Sequence, residues 1–291
     1  MTTAKSLLKW LTPVWVAASL AIICWQLFLH WDAVVATPVS WWALLLSLVL
    51  TLGGKLFAAL QVRRSLSQAH ADVAYAACFY CYSMADLAKY LPGGIWGFVG
   101  RIGFYRTLRL PAGTIGRALV LEQVWLVGGA LAVGLTLFAF GRPGFGTYAL
   151  AVCGATVWLA IVILSGKVTG GRHVDASTAI QVTLCQLGLW LAAGAGFAVL
   201  LPSEYLAGAG IFAIAFAAGL MVPFAPSGIG VREAVVAALA LPSLPVEVVL
   251  QAMLLSRAVW IIADLAFAGV VVWSCRAGWK SAVARAAEAA S

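Results

Sequence analysis

The chain has 291 residues, of which 64% are hydrophobic and 10% charged, with a mean hydropathy of +1.02 and a net charge of +8. A soluble domain carries about 25% charged residues, so the composition excludes an ordinary globular enzyme or soluble binding module. Several apolar runs approach the ~20 residues that cross a ~30 Å hydrocarbon core, and the chain reads as an all-α polytopic membrane protein.

Lys5 and Lys9 precede an apolar run over 13–30. That run exceeds the ~7–15-residue core of a secretion signal. It reads as a first span rather than a cleaved leader, although Ala33 and Ala36 supply small residues of the cleavage-site type. Further spans are predicted at 41–60, 118–140, 145–165, 179–201 and 248–275. Two other apolar regions, 72–104 and 205–241, are interrupted. The first carries Lys89-Tyr90-Leu91-Pro92-Gly93-Gly94-Ile95-Trp96, and the second Pro223-Phe224-Ala225-Pro226-Ser227-Gly228-Ile229-Gly230-Val231-Arg232-Glu233. Non-helical backbone at membrane depth is tolerated only where protein or a polar cavity covers it, and paired breaks in corresponding halves point to a transporter's binding site. Each region reads as a re-entrant or broken hairpin: an arm of about 20 residues, long enough to cover ~30 Å, a break, and a shorter returning arm.

Basic residues mark cytoplasmic loops. Lys5 and Lys9, Arg63 and Arg64, Arg101, Arg106, Arg109 and Arg117, Lys167 and Arg172, and Arg276, Lys280 and Arg285 cluster on one side. The loops 31–40, 202–204 and 242–247 hold no Lys or Arg, and Arg142 is the outer exception. Both termini are therefore expected in the cytoplasm. On the same basis 72–104 enters from the cytoplasm and returns there, while 205–241, flanked by Glu204 and Glu247, enters from outside. The dispersal of charge among short loops also argues against a nucleic-acid partner.

Pro92 and Pro226 lie 134 residues apart, and the spans 118–140 and 252–274 share that offset. Identity between 118–133 and 252–267 is slight (Ala118/Ala252, Leu121/Leu255, Leu131/Leu265, Ala132/Ala266). Each half reads as span, span, broken hairpin, span, in opposite orientations. This predicts one transmembrane domain built as an inverted-topology repeat, with repeat 1 over 10–142, repeat 2 over 143–278 and short cytoplasmic tails.

Ionisable groups inside a bilayer are costly and mark function by default. Arg232 follows the second break, where a short helix should begin; free N–H groups and a bidentate guanidinium there suit a phosphate. The alternative is an ion pair that holds the hairpin. Glu233 reads as a helix cap or a proton carrier. Lys89 reads as an anion ligand or as the partner of Asp86 on the same helical face, and Arg101 as a substrate contact or a cytoplasmic anchor. Arg257 and Asp264 share a face of the last span, and Glu122 lies in the corresponding span of the first half. Pairing among Arg232, Arg257, Asp264 and Glu122 is expected to relieve their burial or to form a switch. Lys55 lies near the inner end of 41–60 and is expected to snorkel, without a function. Trp41, Trp42, Trp273 and Trp279 suit interfacial belts. Cys78 and Cys81 have a redox-like spacing without the surrounding βαβ pattern and read as buried small hydrophobes. The scattered histidines 30, 70 and 173 form no metal constellation, and no cofactor is called for.

The Pro226-Ser227-Gly228-Ile229-Gly230-Val231-Arg232-Glu233 string resembles the signature of one family, the transmembrane region of lysylphosphatidylglycerol synthases and its stand-alone flippase-like relatives. Leu91-Pro92-Gly93-Gly94 with Arg101, Glu122 early in the next span and Arg257 early in the last add to the likeness, which covers about 5–280. The resemblance implies movement of modified phospholipids or lipid-linked sugars between leaflets of a bacterial cytoplasmic membrane. The form of the first break is similar to relatives associated with polysaccharide and glycolipid assembly, which implies a biosynthetic glycosyltransferase or lipid-modifying partner. Two departures stand out. Family members often carry Glu-Arg with an Asp three residues on, where this chain has Glu122, Gln123 and Leu126, and no soluble aminoacyl-transferase domain is expected after the last span.

The expected function is a flippase for an anionic lipid or lipid-linked sugar, with the phosphate held at the two breaks by Lys89, Pro92, Gly93, Gly94, Arg101, Pro226, Ser227, Gly228, Gly230, Arg232 and Arg257. Asp86, Glu122, Glu233 and Asp264 are the expected coupling or ion-pairing carboxylates. A membrane enzyme acting on a lipid phosphate is a second reading, disfavoured because no histidine or aspartate cluster stands beside either break. An ion or small-solute carrier is a third, since it would use the same broken helices.

Overall fold

The computed structural model describes residues 38–90, 96–144, 146–169, 176–222, 225, 228–240 and 243–288, together with single helical positions between 21 and 36. Most of the expected first span, and Pro92, Gly93, Gly94, Pro226 and Ser227 among the expected site residues, lie outside them.

Among the described residues there is no strand. The helices are α1 (Trp41–Gln68), α2 (Tyr75–Leu87), α3 (Trp96–Thr107), α4 (Ala112–Gly141), α5 (Thr147–Val168), α6 (Ala176–Ala198), α7 (Tyr205–Met221), α8 (Val231–Ala240) and α9 (Val246–Glu288). Five of them, α1, α4, α5, α6 and α9, are long and apolar enough to cross a membrane. Trp41, Trp42, Tyr148 and Trp273 are all more than three-quarters exposed on the bundle exterior. Such an apolar exterior suits lipid, and the chain is an all-α polytopic membrane protein.

Several boundaries differ from those read in the sequence. The helix α1 runs eight residues beyond position 60, until Ala69 and His70 turn the chain, His70 with φ 64° and an N–H donated to the Ser67 carbonyl. Polar Gln61, Ser65 and Gln68 do not stop it, because the fold buries them. Both α4 and α9 begin directly after a proline, Pro111 and Pro245, whose fixed φ suits a helix entrance. The last helix reaches Glu288, about 65 Å at 1.5 Å per residue. Its alanine-rich end is helix-favouring, and Trp279 stacks on Tyr80 at 5.4 Å. The expected outer loop 31–40 is still helical at Trp31, Asp32, Val35 and Ala36.

The two interrupted regions form short-armed pairs. In the first, α2 has 13 residues and ends in a 3₁₀ turn over Ala88–Tyr90, and α3 has 12. In the second, α7 has 17 and α8 has 10. The first pair thus lacks the expected 20-residue arm, because residues 69–74 are a turn and an extended link rather than helix. No arm reaches the ~20 residues needed to span.

The packing is reciprocal. The long helix α4 lies along α7, the first arm of the second pair, and α9 lies along α2, the first arm of the first pair. Between them α1 packs on α6, its counterpart in element order. Small residues permit these close crossings, as expected where lipid supplies no hydrophobic drive between helices. At the α4–α7 crossing a Cβ on Gly210 would lie 2.5 Å from the Phe138 nitrogen and 2.7 Å from the Gly134 carbonyl oxygen. Serine and glycine do the same at the α1–α6 crossing, where Ser47 Oγ donates to the Gly196 carbonyl at 2.5 Å.

Gly210→Ala should therefore lose about 1–3 kcal/mol through backbone overpacking. Gly53→Ala, in α1 with nothing within 4 Å of the new methyl, should be neutral or gain up to about 1 kcal/mol of helix stability. Thermal unfolding in detergent compares the two, and an equal response would contradict the close crossing.

Candidate functional site

The long helix α9 carries the site along one face. Arg257, Trp260 and Asp264 recur at spacings of three and four residues, so they stand above one another over about 10 Å. The described residues flanking each break meet this face at different heights.

At the lower position lies a four-charge cluster. Lys55 of α1 pairs with Asp86 of α2 at 3.1 Å and also with Asp264. Lys89 pairs with Asp86 at 3.0 Å and with Asp264 at 2.8 Å. Tyr90 donates its hydroxyl proton to Asp264. Lys55 is 1% exposed and Asp264 4%, whereas the Lys89 and Asp86 side chains are 26% and 20% exposed. One end of the cluster is sealed and the other open. Bringing a single ion from water to ε ≈ 4 costs on the order of 20 kcal/mol in the idealised limit, which is why two ammonium groups and two carboxylates occur together.

At the upper position Arg257 donates Nε–H to Glu233 at 2.9 Å and pairs with the same carboxylate through Nη2. The other oxygen of Glu233 accepts the Gly230 N–H at 2.8 Å. This is the reach-back half of a capping box at the start of α8. Gly228 and Gly230 have φ 67° and 84°, the left-handed region that glycine enters without steric cost, and so let the chain turn into α8.

Arg232 lies between the two positions. Its guanidinium stacks on the Phe216 ring at 3.8 Å. Its Nε is buried without a hydrogen-bond partner among the described residues. The glycines make this seat: a Cβ on Gly219 or on Gly228 would lie 2.9 Å from that Nε. Asp86, Glu233 and Arg257 are within electrostatic range of Arg232. Trp260 joins the two positions, with Lys55 4.9 Å and Lys89 5.5 Å from its ring centroid and Phe216 5.7 Å away. Chain on the near side of the first break and the far side of the second is thus gathered around one aromatic pair.

The sequence-derived candidates are largely brought together here: Asp86, Lys89, Gly228, Gly230, Arg232, Glu233, Arg257 and Asp264. Arg101 and Glu122 form a separate buried ion pair between α3 and α4, with Arg101 also 5.4 Å from the Tyr82 ring centroid. The expected pairing among Arg232, Arg257, Asp264 and Glu122 is not the one formed. Arg257 takes Glu233, Asp264 takes both lysines, and Glu122 takes Arg101. Arg101 is not a surface anchor, since only 11% of its side chain is exposed. Arg142, the outer exception, is held by Glu204 at 2.6 Å and donates to the Leu239 carbonyl at 2.6 Å. It ties the end of α4 to both arms of the second pair.

Lys55 is the principal correction. It does not snorkel, because α1 continues to Gln68 and leaves Lys55 near mid-helix. A lysine in an otherwise uncharged stretch from 41 to 62 was the available signal. Tyr90, Phe216 and Trp260 had no comparable signal.

The fold and site define an integral membrane protein with a polar, ion-paired centre. No protein-family model matches the chain, and no curated protein matches it.

Lys55→Met should destabilise by about 3–5 kcal/mol, since it leaves the buried Asp264 and the partly exposed Asp86 to one lysine. Adding Asp264→Asn should restore part of the loss. Unfolding temperatures of wild type, single and double variants in detergent measure this, and strictly additive losses would contradict a direct Lys55–Asp264 interaction.

Proposed function

We propose that this chain is a lipid carrier of two inverted halves, which moves an anionic phospholipid or a polyprenyl-phosphate-linked sugar between the leaflets of a bacterial cytoplasmic membrane. The carrying observation is Arg232. It is a cation at a helix break in a membrane protein, and among the described residues it has no carboxylate bonded to it. An anion completes such a site.

Arg232 then binds phosphate through its terminal nitrogens, as guanidinium does with two parallel hydrogen bonds. Lys89 and Arg257, both partly open and both shared with carboxylates, are positioned to exchange part of their pairing for the ligand. Asp86, Asp264 and Glu233 are the groups that would take up the released charge. Such an exchange keeps the summed charge near zero while the contacts change, which is what a carrier in hydrocarbon requires. The sealed Lys55–Asp264 pair serves as the fixed end of the exchange. Gly228 and Gly230 allow the second break to pivot.

The repeat and its orientation are supported by three features. The element order α1 to α4 recurs as α6 to α9, α4 and α9 start 134 residues apart, and each half's short-armed pair packs on the other half's long helix. The expected motion is rocking of one half against the other about Trp260. The basic clusters support cytoplasmic termini. The resemblance of the second break to flippase-like proteins supports a lipid rather than a soluble solute, as do the short connections between helices.

The test is leaflet-resolved lipid movement in proteoliposomes. Arg232→Ala should slow transfer by about tenfold or more, and Arg232→Lys should recover only part, because the ammonium lacks the guanidinium fork. Equal rates for wild type and Arg232→Ala would refute the site. Release of inorganic phosphate from the lipid would instead favour an enzyme.

A further inference from the structure

We infer that the site is matched to a lipid headgroup bearing one negative charge, a phosphodiester, in preference to a phosphomonoester or a pyrophosphate. The inference rests on the carrier reading above and specifies its substrate class.

Among the described residues, the region around the breaks holds five cationic side chains, Lys55, Lys89, Arg101, Arg232 and Arg257, and four carboxylates, Asp86, Glu122, Glu233 and Asp264. Every one of these carboxylates is engaged: Glu122 by Arg101, Glu233 by Arg257, and Asp86 and Asp264 by the two lysines. The region thus carries one unit of uncompensated positive charge, and it belongs to Arg232. A site that rearranges within hydrocarbon does so at least cost when its loaded charge is zero. A singly charged ligand meets that condition with all four carboxylates still ionised and the sum of charges at zero. A pyrophosphate would leave the loaded site negative unless a carboxylate were also protonated or expelled.

The shape of the seat agrees. Nε of Arg232 is closed off against Gly219 and Gly228, and one face of the guanidinium is covered by the Phe216 ring. What remains is the fork of terminal nitrogens, two donors side by side. A phosphodiester has two non-bridging oxygens to match them. Phospholipids of the phosphatidylglycerol type and polyprenyl monophosphate sugars are phosphodiesters. Polyprenyl pyrophosphate sugars are not.

The experiment uses the full chain in phosphatidylcholine vesicles with trace headgroup-intact, acyl-labelled phosphatidylglycerol, phosphatidic acid or phosphatidylcholine, followed by bleaching of the outer leaflet. At mildly alkaline pH phosphatidic acid carries close to two charges, as phosphomonoesters do. Wild type should move phosphatidylglycerol at least about fivefold faster than either of the other two. Asp86→Asn and Glu233→Gln each add one positive charge, and each should raise the phosphatidic acid to phosphatidylglycerol rate ratio by about tenfold. Using both guards against one variant failing to fold. Equal wild-type rates for the three lipids, or an unchanged ratio in both variants, would overturn the charge match and leave the carrier reading standing. Rates no faster than in protein-free vesicles for all three would overturn the carrier reading itself. Uptake of inorganic phosphate should stay at the protein-free rate, and uptake above it would reassign the site to a soluble anion.

Discussion

The cost of holding charge away from water governs this structure. Lys55 stands near the middle of a 28-residue apolar helix, where an isolated ammonium would be expelled or neutralised. It stays because Asp86 and Asp264 approach it from α2 and α9. That requirement places the first short-armed pair against the last long helix, and so links the two halves of the chain. Asp264 in turn gathers Lys89 and Tyr90, so the chain just before the first break is fixed by the same interaction. The counterpart contact of α4 with α7 is made differently, through glycine backbone and the Arg142–Glu204 pair. One side of the bundle is fastened by buried charge and the other by close packing.

Around this centre the electrostatics are nearly closed. The lysine–aspartate cluster, the Arg101–Glu122 pair and the Arg257–Glu233 pair each balance. Near-closure is what gives the remaining cation meaning. In a site crowded with unpaired basic residues Arg232 would be one of many. Here its environment consists of an aromatic face, two glycines and charges at longer range. The aromatic pair Phe216 and Trp260 sets those distances, since it separates Arg232 from the lysines while keeping both at the same face of α9. Partial exposure of Lys89, Asp86 and Arg257, against the sealed Lys55 and Asp264, gives the cluster a direction.

Some of this was legible in the chain before any folding was considered. The broken regions were visible as Pro-Gly and Gly-x-Gly strings, and Arg232, Lys89 and Asp264 as charges in apolar surroundings. The Asp86–Lys89 pair followed from helical spacing and is formed. The partners of the other charges were misjudged, because pairing across helices depends on which faces meet. Lys55 was missed for a more specific reason. Its significance turned on where α1 ends, and Gln61, Ser65 and Gln68 look like an exit into water, although the fold buries them against α4 through Trp125 and the backbone of Glu122. Phe216 and Trp260 were invisible among thirteen phenylalanines and thirteen tryptophans, since an aromatic residue in an apolar run carries no positional signal.

The sequence alone determined that the chain enters a membrane, where its helices are interrupted and which residue types bear charge there. Hydropathy, helix-breaking chemistry and spacing along one element are local properties, and local properties can be read in order. Tertiary structure decided which carboxylate meets which cation, that Lys55 is central rather than peripheral, and that Arg232 is left over among the described cations gathered around the two breaks. Those outcomes depend on the crossing of helices distant in the chain, and a cation is recognised as surplus only after every carboxylate within reach has been assigned.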